Sequence, residues 1–338
     1  MRGFARLARH KNNLPSLPSY FRYTTLAVFE DLGEMPDHRL VRALERARSI
    51  IGRQAFDLFE ELLYGDQPAG WDTAGYPHTV KNIKREDIVK YKESHYLTSN
   101  AVVCVAGNIE PEVAFRKIGK AFAKMPQGNK LQKLKVKEEQ SAPLVRFKKK
   151  DVDQTHIRLG VRAYNMFDQR RYALAVLNTI LGGNWSSRLF TELREKLGLT
   201  YYVRSMAEEY TDTGYLIAAA GVPHDKVEKA VSKMAELFKG MRTKGVSSKD
   251  ITFAKEYIRG SLALAFESTD EVATYLASQE LFYKKIWTPE EELKRIEAVT
   301  KSDIMKVARE VFTNKNLNLA VVGDIKDSKR LKRVLTIK

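Results

Sequence analysis

The feature that most constrains this chain is an internal repeat. Residues Thr79–Ile109 align with Arg295–Ile325 without a gap, at a constant offset of 216 residues and with seven identical positions. Each copy has an acidic residue in the first turn of a predicted helix, then an asparagine turn, then an apolar run that ends in glycine. Self-similarity of this kind indicates duplication, so each copy is predicted to end in a buried strand, Ala101–Gly107 in the first and Asn316–Gly323 in the second.

The repeat also predicts that the first copy is incomplete. The second copy begins near residue 145, so a full first copy would begin about 70 residues before Met1. Two full copies need about 410 residues, whereas the chain has 338. We therefore expect one complete unit preceded by part of another, without the early strands and helices of the first.

Composition divides the chain into four parts. Residues 1–36 form a basic N-terminal segment, left unassigned, with no acidic residue before Glu30. Residues 37–125 form the partial first domain. Residues 126–143 are polar and lysine-rich, which is typical of a linker, and residues 144–338 form the complete second domain.

Periodicity in the second domain predicts its secondary structure. The irregular order of strands and helices, with a hairpin, favours an α+β fold over a doubly wound parallel sheet. Strand Gly214–Val222 is a candidate edge for an extended peptide, with an ordinary core strand as the alternative. The other predicted strands are Gln154–Ala163, Thr200–Glu208 and Asn316–Gly323, and the predicted helices are Arg171–Leu181, a helix up to Lys196, Asp225–Thr243, Lys249–Phe266, Asp270–Tyr283 and Ser302–Phe312.

Charge and cysteine content exclude several classes of protein. The chain has 58 Lys and Arg against 42 Asp and Glu, a net charge of +16. Its basic clusters are short and lie beside acidic residues, which indicates solvated surface rather than a nucleic-acid partner. No apolar run approaches the roughly 18 residues of a membrane span. The single cysteine, Cys104, excludes an intramolecular disulfide framework and is predicted to be buried and unreactive.

Five stretches of the chain resemble one family, the pitrilysin and mitochondrial-processing-peptidase-like zinc metallopeptidases, or inverzincins. The most specific stretch is SSRLFTELREKLGLTYYV, and the resemblance covers roughly residues 40 to 335. It implies duplicated metallohydrolase-like domains, each an antiparallel sheet with helices packed on it, with the first copy incomplete. The stretches are Phe59–Gly75, Ala101–Ile109, Ser186–Val203, Ala254–Ser268 and Glu297–Ile325.

The zinc motif of that family is missing from this sequence. Family members hold zinc through H-x-x-E-H, in which two histidines bind the metal and the glutamate acts as general base. A further glutamate completes the ligand set, and Gln54 stands at the aligned position here. The resemblance therefore implies no metal site or cofactor in this chain, with zinc in the full-length family or in a partner subunit. None of the six histidines has a second histidine four residues away: His10, His38, His78, His95, His156 and His224.

The resemblance assigns a substrate-binding pair to Arg194 and Tyr201, which contact the peptide backbone near the scissile bond in family members. A guanidinium and a phenol are hydrogen-bond donors suited to a peptide carbonyl or a developing oxyanion. The alternative is structural: Arg194 pairs with Glu192 or Glu195, and Tyr201 packs in a strand. For the loop YGDQPAGWDTAG, Tyr64 and Trp71 are predicted packing anchors.

These observations favour a peptidase-family chain without its own zinc site, inactive alone, that contributes peptide binding to a zinc metallopeptidase assembly. The alternatives are an N-terminally truncated active metalloendopeptidase and a non-enzymatic peptide-binding or assembly subunit. The expected partners are a peptide or unfolded polypeptide substrate and, in a homo- or hetero-oligomer, a zinc-bearing relative. The expected location is cytoplasmic, or mitochondrial if the arginine-rich N-terminus is a presequence.

Overall fold

The computed structural model describes residues 51–129, 131–283, 285–324 and 328–337. The basic segment 1–36 lies outside the described residues. None of the described helices is long and apolar enough to cross a membrane.

One five-stranded sheet organises the second repeat, in the order β1-β5-β2-β4-β3. Strand β1 runs parallel to β5, and all other neighbours are antiparallel. The α+β fold with helices packed on a largely antiparallel sheet is therefore confirmed. The strands are β1 (Leu144–Lys149), β2 (Thr155–Arg162), β3 (Tyr202–Glu209), β4 (Gly214–Val222) and β5 (Leu317–Gly323).

The helices lie close to their predicted positions in the second repeat. A π-helical segment, Phe190–Lys196, follows α5. The α-helices are α1 (Ile51–Tyr64), α2 (Pro77–Lys81), α3 (Arg85–His95), α4 (Pro111–Ala121), α5 (Arg171–Gly182), α6 (Val227–Thr243), α7 (Ser248–Ala265), α8 (Thr269–Tyr283), α9 (Pro289–Ala298), α10 (Lys301–Val311) and α11 (Ser328–Val334).

The main core lies between one face of the sheet and helices α5, α6 and α10. Alternate residues of each strand point into it, as the period of two in a strand requires. On β2 these are Ile157, Leu159 and Val161, and all three are fully buried. Phe238 of α6 and Phe312 at the end of α10 meet above them with ring centroids 4.6 Å apart. This two-layer arrangement explains why the second repeat has a complete core.

The opposite face of the sheet is covered by α1, which comes from the first repeat. Phe59 of α1 is fully buried and packs edge-on against Tyr215 of β4, with ring centroids 5.3 Å apart. The neighbouring Glu60 carboxylate accepts hydrogen bonds from the phenols of Tyr210 at 2.6 Å and Tyr215 at 2.9 Å. Tyr64 is buried, as predicted, whereas the side chain of Trp71 is mostly exposed, so its prediction as a packing anchor is wrong.

Strand β4 lies between β2 and β3, so of the two alternatives for Gly214–Val222 the structure has the ordinary core strand and not the edge. The β3–β4 hairpin occupies one side of β4 and β2 the other. The two edges of the sheet are β1 and β3. Any extended peptide that adds to this sheet next to the hairpin must therefore pair with β3.

The two repeats share a helix of the same length with an acidic residue at its start. Helices α3 and α10 are related by the offset of 216 residues at both ends. Asp87 accepts a hydrogen bond from the backbone N–H of Lys84 at 2.9 Å, and Asp303 accepts one from Thr300 at 2.8 Å. These equivalent caps at the start of each helix support the duplication inferred from the sequence.

The predicted strand Ala101–Gly107 is not formed. Its backbone has no ladder partner among the described residues, whereas its counterpart β5 pairs with β1 and β2. A strand needs neighbours to satisfy its backbone groups, and the sequence pattern alone does not supply them. The prediction that Cys104 is buried is confirmed, and burial raises the pKa of its thiol, so the thiol stays protonated.

The chain forms two compact units that exchange equivalent segments of the repeats. The smaller unit contains residues 76–134 and 259–292. The larger unit contains the described part of residues 42–75, together with residues 135–258 and 293–338. Segments 42–75 and 259–292 are separated by nearly the repeat offset, so they are equivalent parts of the two repeats. Segment 42–75 belongs to the first repeat but lies in the larger unit with the second, and segment 259–292 belongs to the second repeat but lies in the smaller unit with the first. The sequence-based domain boundaries stay a prediction.

The end of the predicted linker is fixed to the larger unit. The Lys137 backbone N–H donates to the side chain of Gln67 at 2.9 Å, and the Gln67 amide donates back to the Lys137 carbonyl at 3.0 Å. The backbone N–H of Val136 donates to Asp212 at 2.9 Å. The loop that follows α1 and this part of residues 126–143 therefore hold each other in place.

Candidate functional site

The candidate site is built on the turn that joins the π-helical segment to β3. Leu193 and Leu199 are buried on either side of the turn and anchor it to the main core. Gly198 has a φ of 55°, a left-handed conformation that favours glycine. The Leu199 N–H donates to the Leu193 carbonyl at 2.8 Å and closes the turn. This rigid base fixes the residues that the turn exposes to solvent.

Tyr201 is the most prominent of these residues. Its side chain is 77% exposed, and it lies immediately before the edge strand β3. The preceding residue, Thr200, is buried, and its hydroxyl donates to the Gly221 carbonyl at 2.6 Å. The backbone at Tyr201 is thus held to the sheet while the phenol points into solvent.

Arg194 is also exposed, on the π-helical segment that packs against β3. Its guanidinium lies 5.0 Å from the centre of the Phe190 ring, a cation–π distance. The nearby Glu192 instead pairs with Lys196 at 2.6 Å and Lys233 at 3.0 Å, and the lysine hydrogen bonds lower the pKa of its carboxyl. Within the part of the chain that the structure describes, Arg194 forms no ion pair.

Trp185 extends this surface, and no pattern in the sequence predicts its role. Its ring is 79% exposed and stacks on Phe190 with centroids 5.8 Å apart. Trp185, Phe190 and Arg194 therefore form a continuous row, which we call the 185–194 stack. The one signal for it in the sequence is a tryptophan placed just after the glycine pair Gly182-Gly183, where α5 ends.

The chemistry of this surface suits an extended peptide. Strand β3 is an edge strand of the described sheet, and main-chain hydrogen bonds along such an edge bind a strand of any sequence. The guanidinium of Arg194 and the phenol of Tyr201 add hydrogen-bond donors where the edge begins. The 185–194 stack offers an apolar surface for a peptide side chain.

The histidines in the described residues are engaged in structural contacts. His156 Nδ1 lies 2.7 Å from the Tyr202 hydroxyl, and burial followed by the nearby Arg158 lowers the pKa of its imidazole. His224 lies between the Thr155 hydroxyl and the Val152 carbonyl, at 2.7 and 2.8 Å.

These residues do not fit a zinc site. Within the described ranges, no three His, Cys, Asp or Glu side chains are grouped as metal ligands. Gln54, at the position aligned with the family's glutamate ligand, lies on α1, and an amide is a poorer zinc ligand than a carboxylate. The described side chains therefore offer no ligand set for a zinc ion, and no step through zinc is assigned to them.

The fold is α+β, and Arg194 and Tyr201 are exposed next to an edge strand of its described sheet. A sequence model of the peptidase M16 inactive domain matches residues 82–258, more than half of the chain. The chain therefore belongs to the M16 peptidase family.

Relatives and solved structures agree with this assignment. The chain is 30% identical over 257 residues to the uncharacterized zinc protease YmxG of Bacillus subtilis, covering 76% of this chain and 62% of that protein. It is 30% identical over 280 residues to an uncharacterized zinc protease of Streptomyces coelicolor, covering 80% of this chain and 60% of that one. The chain thus spans about three-fifths of the length of these relatives.

Two solved structures show the same fold. The peptidase M16 inactive domain from Pseudomonas fluorescens aligns with a TM-score of 0.79 and 19% identity, over 87% of this chain and 70% of that chain. A protease from Helicobacter pylori aligns with a TM-score of 0.78 and 21% identity, over 86% and 73%.

Proposed function

We propose that this chain supplies the peptide-holding part of an M16 zinc peptidase assembly, in which residues outside this sequence bind the zinc. The observation that carries the proposal is the joint exposure of Arg194 and Tyr201 at the start of the edge strand β3. The names of the relatives support zinc in the family, and the absence of H-x-x-E-H from the sequence supports its coming from elsewhere.

In this proposal an extended peptide pairs with the backbone of β3. The Arg194 guanidinium donates hydrogen bonds to a peptide carbonyl, and the Tyr201 hydroxyl donates to the same or the next one. The stacking of Arg194 on Phe190 limits the rotamers of the arginine, so less side-chain entropy is lost when the peptide binds. When the metal of the assembly is present, it supplies the activated water and this chain holds the substrate opposite it.

Peptide binding tests the Arg/Tyr pair directly. The fluorescence anisotropy of a fluorescein-labelled extended peptide should rise on addition of the full chain, and Arg194→Ala should weaken binding about tenfold, the loss of one charge-assisted hydrogen bond. Tyr201→Phe, which removes only the hydroxyl, should weaken it about threefold to tenfold.

Matched controls separate this role from general effects of charge and surface. Arg309→Ala removes an exposed arginine of α10, and Tyr257→Phe removes an exposed phenol of α7. Both should leave peptide affinity unchanged. Equal affinities for Arg194→Ala and the parent chain, with both folded by circular dichroism, would remove the pair from the site.

Metal analysis and peptide cleavage test the assignment of zinc to another polypeptide. The purified chain alone should hold substoichiometric zinc and should not cleave a quenched fluorescent peptide. Stoichiometric zinc with chelator-sensitive cleavage by the chain alone would contradict the proposal. When the chain is mixed with a zinc-bearing relative and the mixture cleaves the peptide, replacing the parent chain by Arg194→Ala should lower kcat/KM for that cleavage about tenfold.

A further inference from the structure

Tyr202, the first residue of β3, is held by its hydroxyl on the sheet face that α1 covers, since Val203 points into the main core. The hydroxyl lies 2.7 Å from Nδ1 of His156 and accepts a hydrogen bond from the Arg158 guanidinium at 3.4 Å. Because it accepts from Arg158, its own hydrogen is directed to His156. A side-chain contact therefore fixes the start of β3, in addition to backbone pairing with β4.

Gly221 of β4 leaves room for the Tyr202 ring. Tyr202, Gly221 and His156 lie opposite one another on the neighbouring strands β3, β4 and β2. A Cβ atom at Gly221 would lie 2.5 Å from Cε1 of Tyr202, so a side chain at this position would displace the ring. The Gly221 carbonyl also accepts the hydrogen bond of the Thr200 hydroxyl. Both chain neighbours of Tyr201 are thus attached to one point of β4.

Arg158 connects this contact to α1. Its guanidinium is buried, lies 4.3 Å from the centre of the Phe56 ring and donates to the Gly52 carbonyl at 2.8 Å. It also donates to the Ile157 carbonyl at 2.9 Å, and within the described ranges it forms no ion pair. A buried guanidinium that loses a hydrogen bond has no water to replace it. Arg158 and the Tyr202 hydroxyl therefore keep each other in place.

We propose that Tyr202 is a positioning residue for peptide binding, whose hydroxyl, held by His156 and Arg158, orders the start of β3 so that Tyr201 presents its phenol to the peptide. The inference rests on the proposed function, because Tyr202 acts here only through Tyr201. Tyr201 itself is largely exposed, so its orientation depends on the backbone on either side of it. A group that is ordered before binding loses less conformational entropy when the peptide binds.

A double-mutant cycle on the full chain tests this coupling, with the anisotropy of a fluorescein-labelled extended peptide as the readout. Tyr202→Phe keeps the ring and removes the hydroxyl, and it should weaken peptide binding at least about threefold. In a chain that already carries Tyr201→Phe, the same substitution should change the affinity less than about 1.5-fold, because the hydroxyl that it positions is gone. A purely structural role would give equal losses in both chains.

Substitutions of His156 provide a second readout. His156→Ala removes the acceptor of the Tyr202 hydroxyl and should weaken peptide binding about as much as Tyr202→Phe does. His156→Gln keeps an acceptor at this place and should restore most of the affinity. Rescue by glutamine distinguishes a hydrogen bond that orders Tyr202 from simple packing of the imidazole ring.

Tyr164→Phe is the matched control. The hydroxyl of Tyr164 also donates a hydrogen bond, to Glu310 at 2.5 Å, and Tyr164 follows the end of β2 that is opposite His156. The variant loses a tyrosine hydrogen bond in the same unit and should leave peptide affinity unchanged. Circular dichroism of each variant shows that the chain is folded before its affinity is compared.

Two results would overturn the inference while the proposed function stands. They are an unchanged affinity in Tyr202→Phe, and equal losses from Tyr202→Phe with and without the Tyr201 hydroxyl. In both cases Tyr201→Phe and Arg194→Ala still weaken peptide binding. Failure of the proposed function has a different signature, because Tyr201→Phe and Arg194→Ala would then bind the peptide as the parent chain does, and the inference would fail with it.

Discussion

At the scale of single residues, exposure distinguishes the side chains that hold the fold from those that are free to act. Leu193 and Leu199 are buried on the turn that carries Arg194 and Tyr201, whereas Arg194 and Tyr201 are exposed. The resemblance to family members selected the two outward residues. Trp185 escaped notice because a single aromatic residue in a loop has no periodic pattern around it, and only the structure shows its stacking on Phe190.

This stacking leads to a prediction for Trp185. Trp185→Ala should weaken binding of an extended peptide about threefold to tenfold, because it removes an exposed aromatic surface and leaves Phe190 free to move under the Arg194 guanidinium. Peptide anisotropy measures the effect. Trp71→Ala is the control, since Trp71 is another exposed tryptophan of the larger unit, held by a 2.8 Å hydrogen bond to Asp66. Equal losses in the two variants would argue against a specific role.

A second prediction concerns the pH dependence of stability. Burial, and then the nearby Arg158, lower the pKa of His156 below its usual value near 6.5. Below that pH the His156 imidazole is protonated in the unfolded chain and stays neutral in the folded chain. The free energy of unfolding therefore falls as the pH falls. One such proton contributes at most about 1.4 kcal/mol per pH unit, and the partial exposure of His156 makes the expected slope smaller.

Urea unfolding of the parent chain and of His156→Gln between neutral and mildly acidic pH measures this slope. The variant should lose less stability on acidification than the parent, because the titrating ring is gone while a polar side chain remains near Tyr202. An identical decline in both proteins would place the acid sensitivity elsewhere.

At the scale of secondary-structure elements, local signals predicted the second repeat well. The predicted helices and strands of this repeat end within a few residues of the observed ends because glycines, caps and alternation act locally, whereas β1, α9 and α11 were not predicted. Gly198 and Gly245, which follow the π-helical segment and α6, have left-handed φ values of 55° and 74° that favour glycine and end these helices. The errors concern pairing: Ala101–Gly107 has a strand sequence without strand neighbours, and the position of β4 inside the sheet depends on β2, which is distant in the sequence.

Packing of α1 on the sheet makes a prediction about Gly160. A Cβ atom at Gly160 of β2 would lie 2.6 Å from the Phe59 ring and 2.7 Å from the Leu216 carbonyl oxygen. Gly160→Ala should therefore lower the free energy of unfolding by about 1–3 kcal/mol, the usual cost of overpacking. Gly240→Ala on α6 meets nothing within 4 Å and should stabilise the chain by up to about 1 kcal/mol.

Thermal and urea denaturation of the two alanine variants provide the comparison. If Gly160→Ala is as stable as the parent, Phe59 does not pack against β2 as described. The Gly240→Ala variant is the control that shows whether adding a methyl group to a glycine of this chain lowers its stability in general.

At the scale of the whole molecule, the repeat determines which segments belong together. The first repeat contributes α1 to the larger unit, and the smaller unit takes the equivalent segment of the second repeat, residues 259–292. The offset of 216 residues is visible in the sequence, but this exchange is not, because self-similarity shows which segments are equivalent and not which ones pack together. The energetic consequence is that α1 depends on a sheet formed by residues far along the chain.

Native-state hydrogen exchange in low concentrations of urea tests that dependence. Residues 55–64 should lose protection at the same urea concentration as residues 155–162 of β2, because the buried Phe59 lies against that sheet. Residues 85–95 of α3 have no buried side chain and should lose protection at lower urea. Gly160→Ala should shift residues 55–64 and 155–162 together and leave residues 85–95 unchanged. If residues 55–64 instead opened with residues 85–95, α1 would belong energetically to its own repeat, and the exchange of segments would carry no stability.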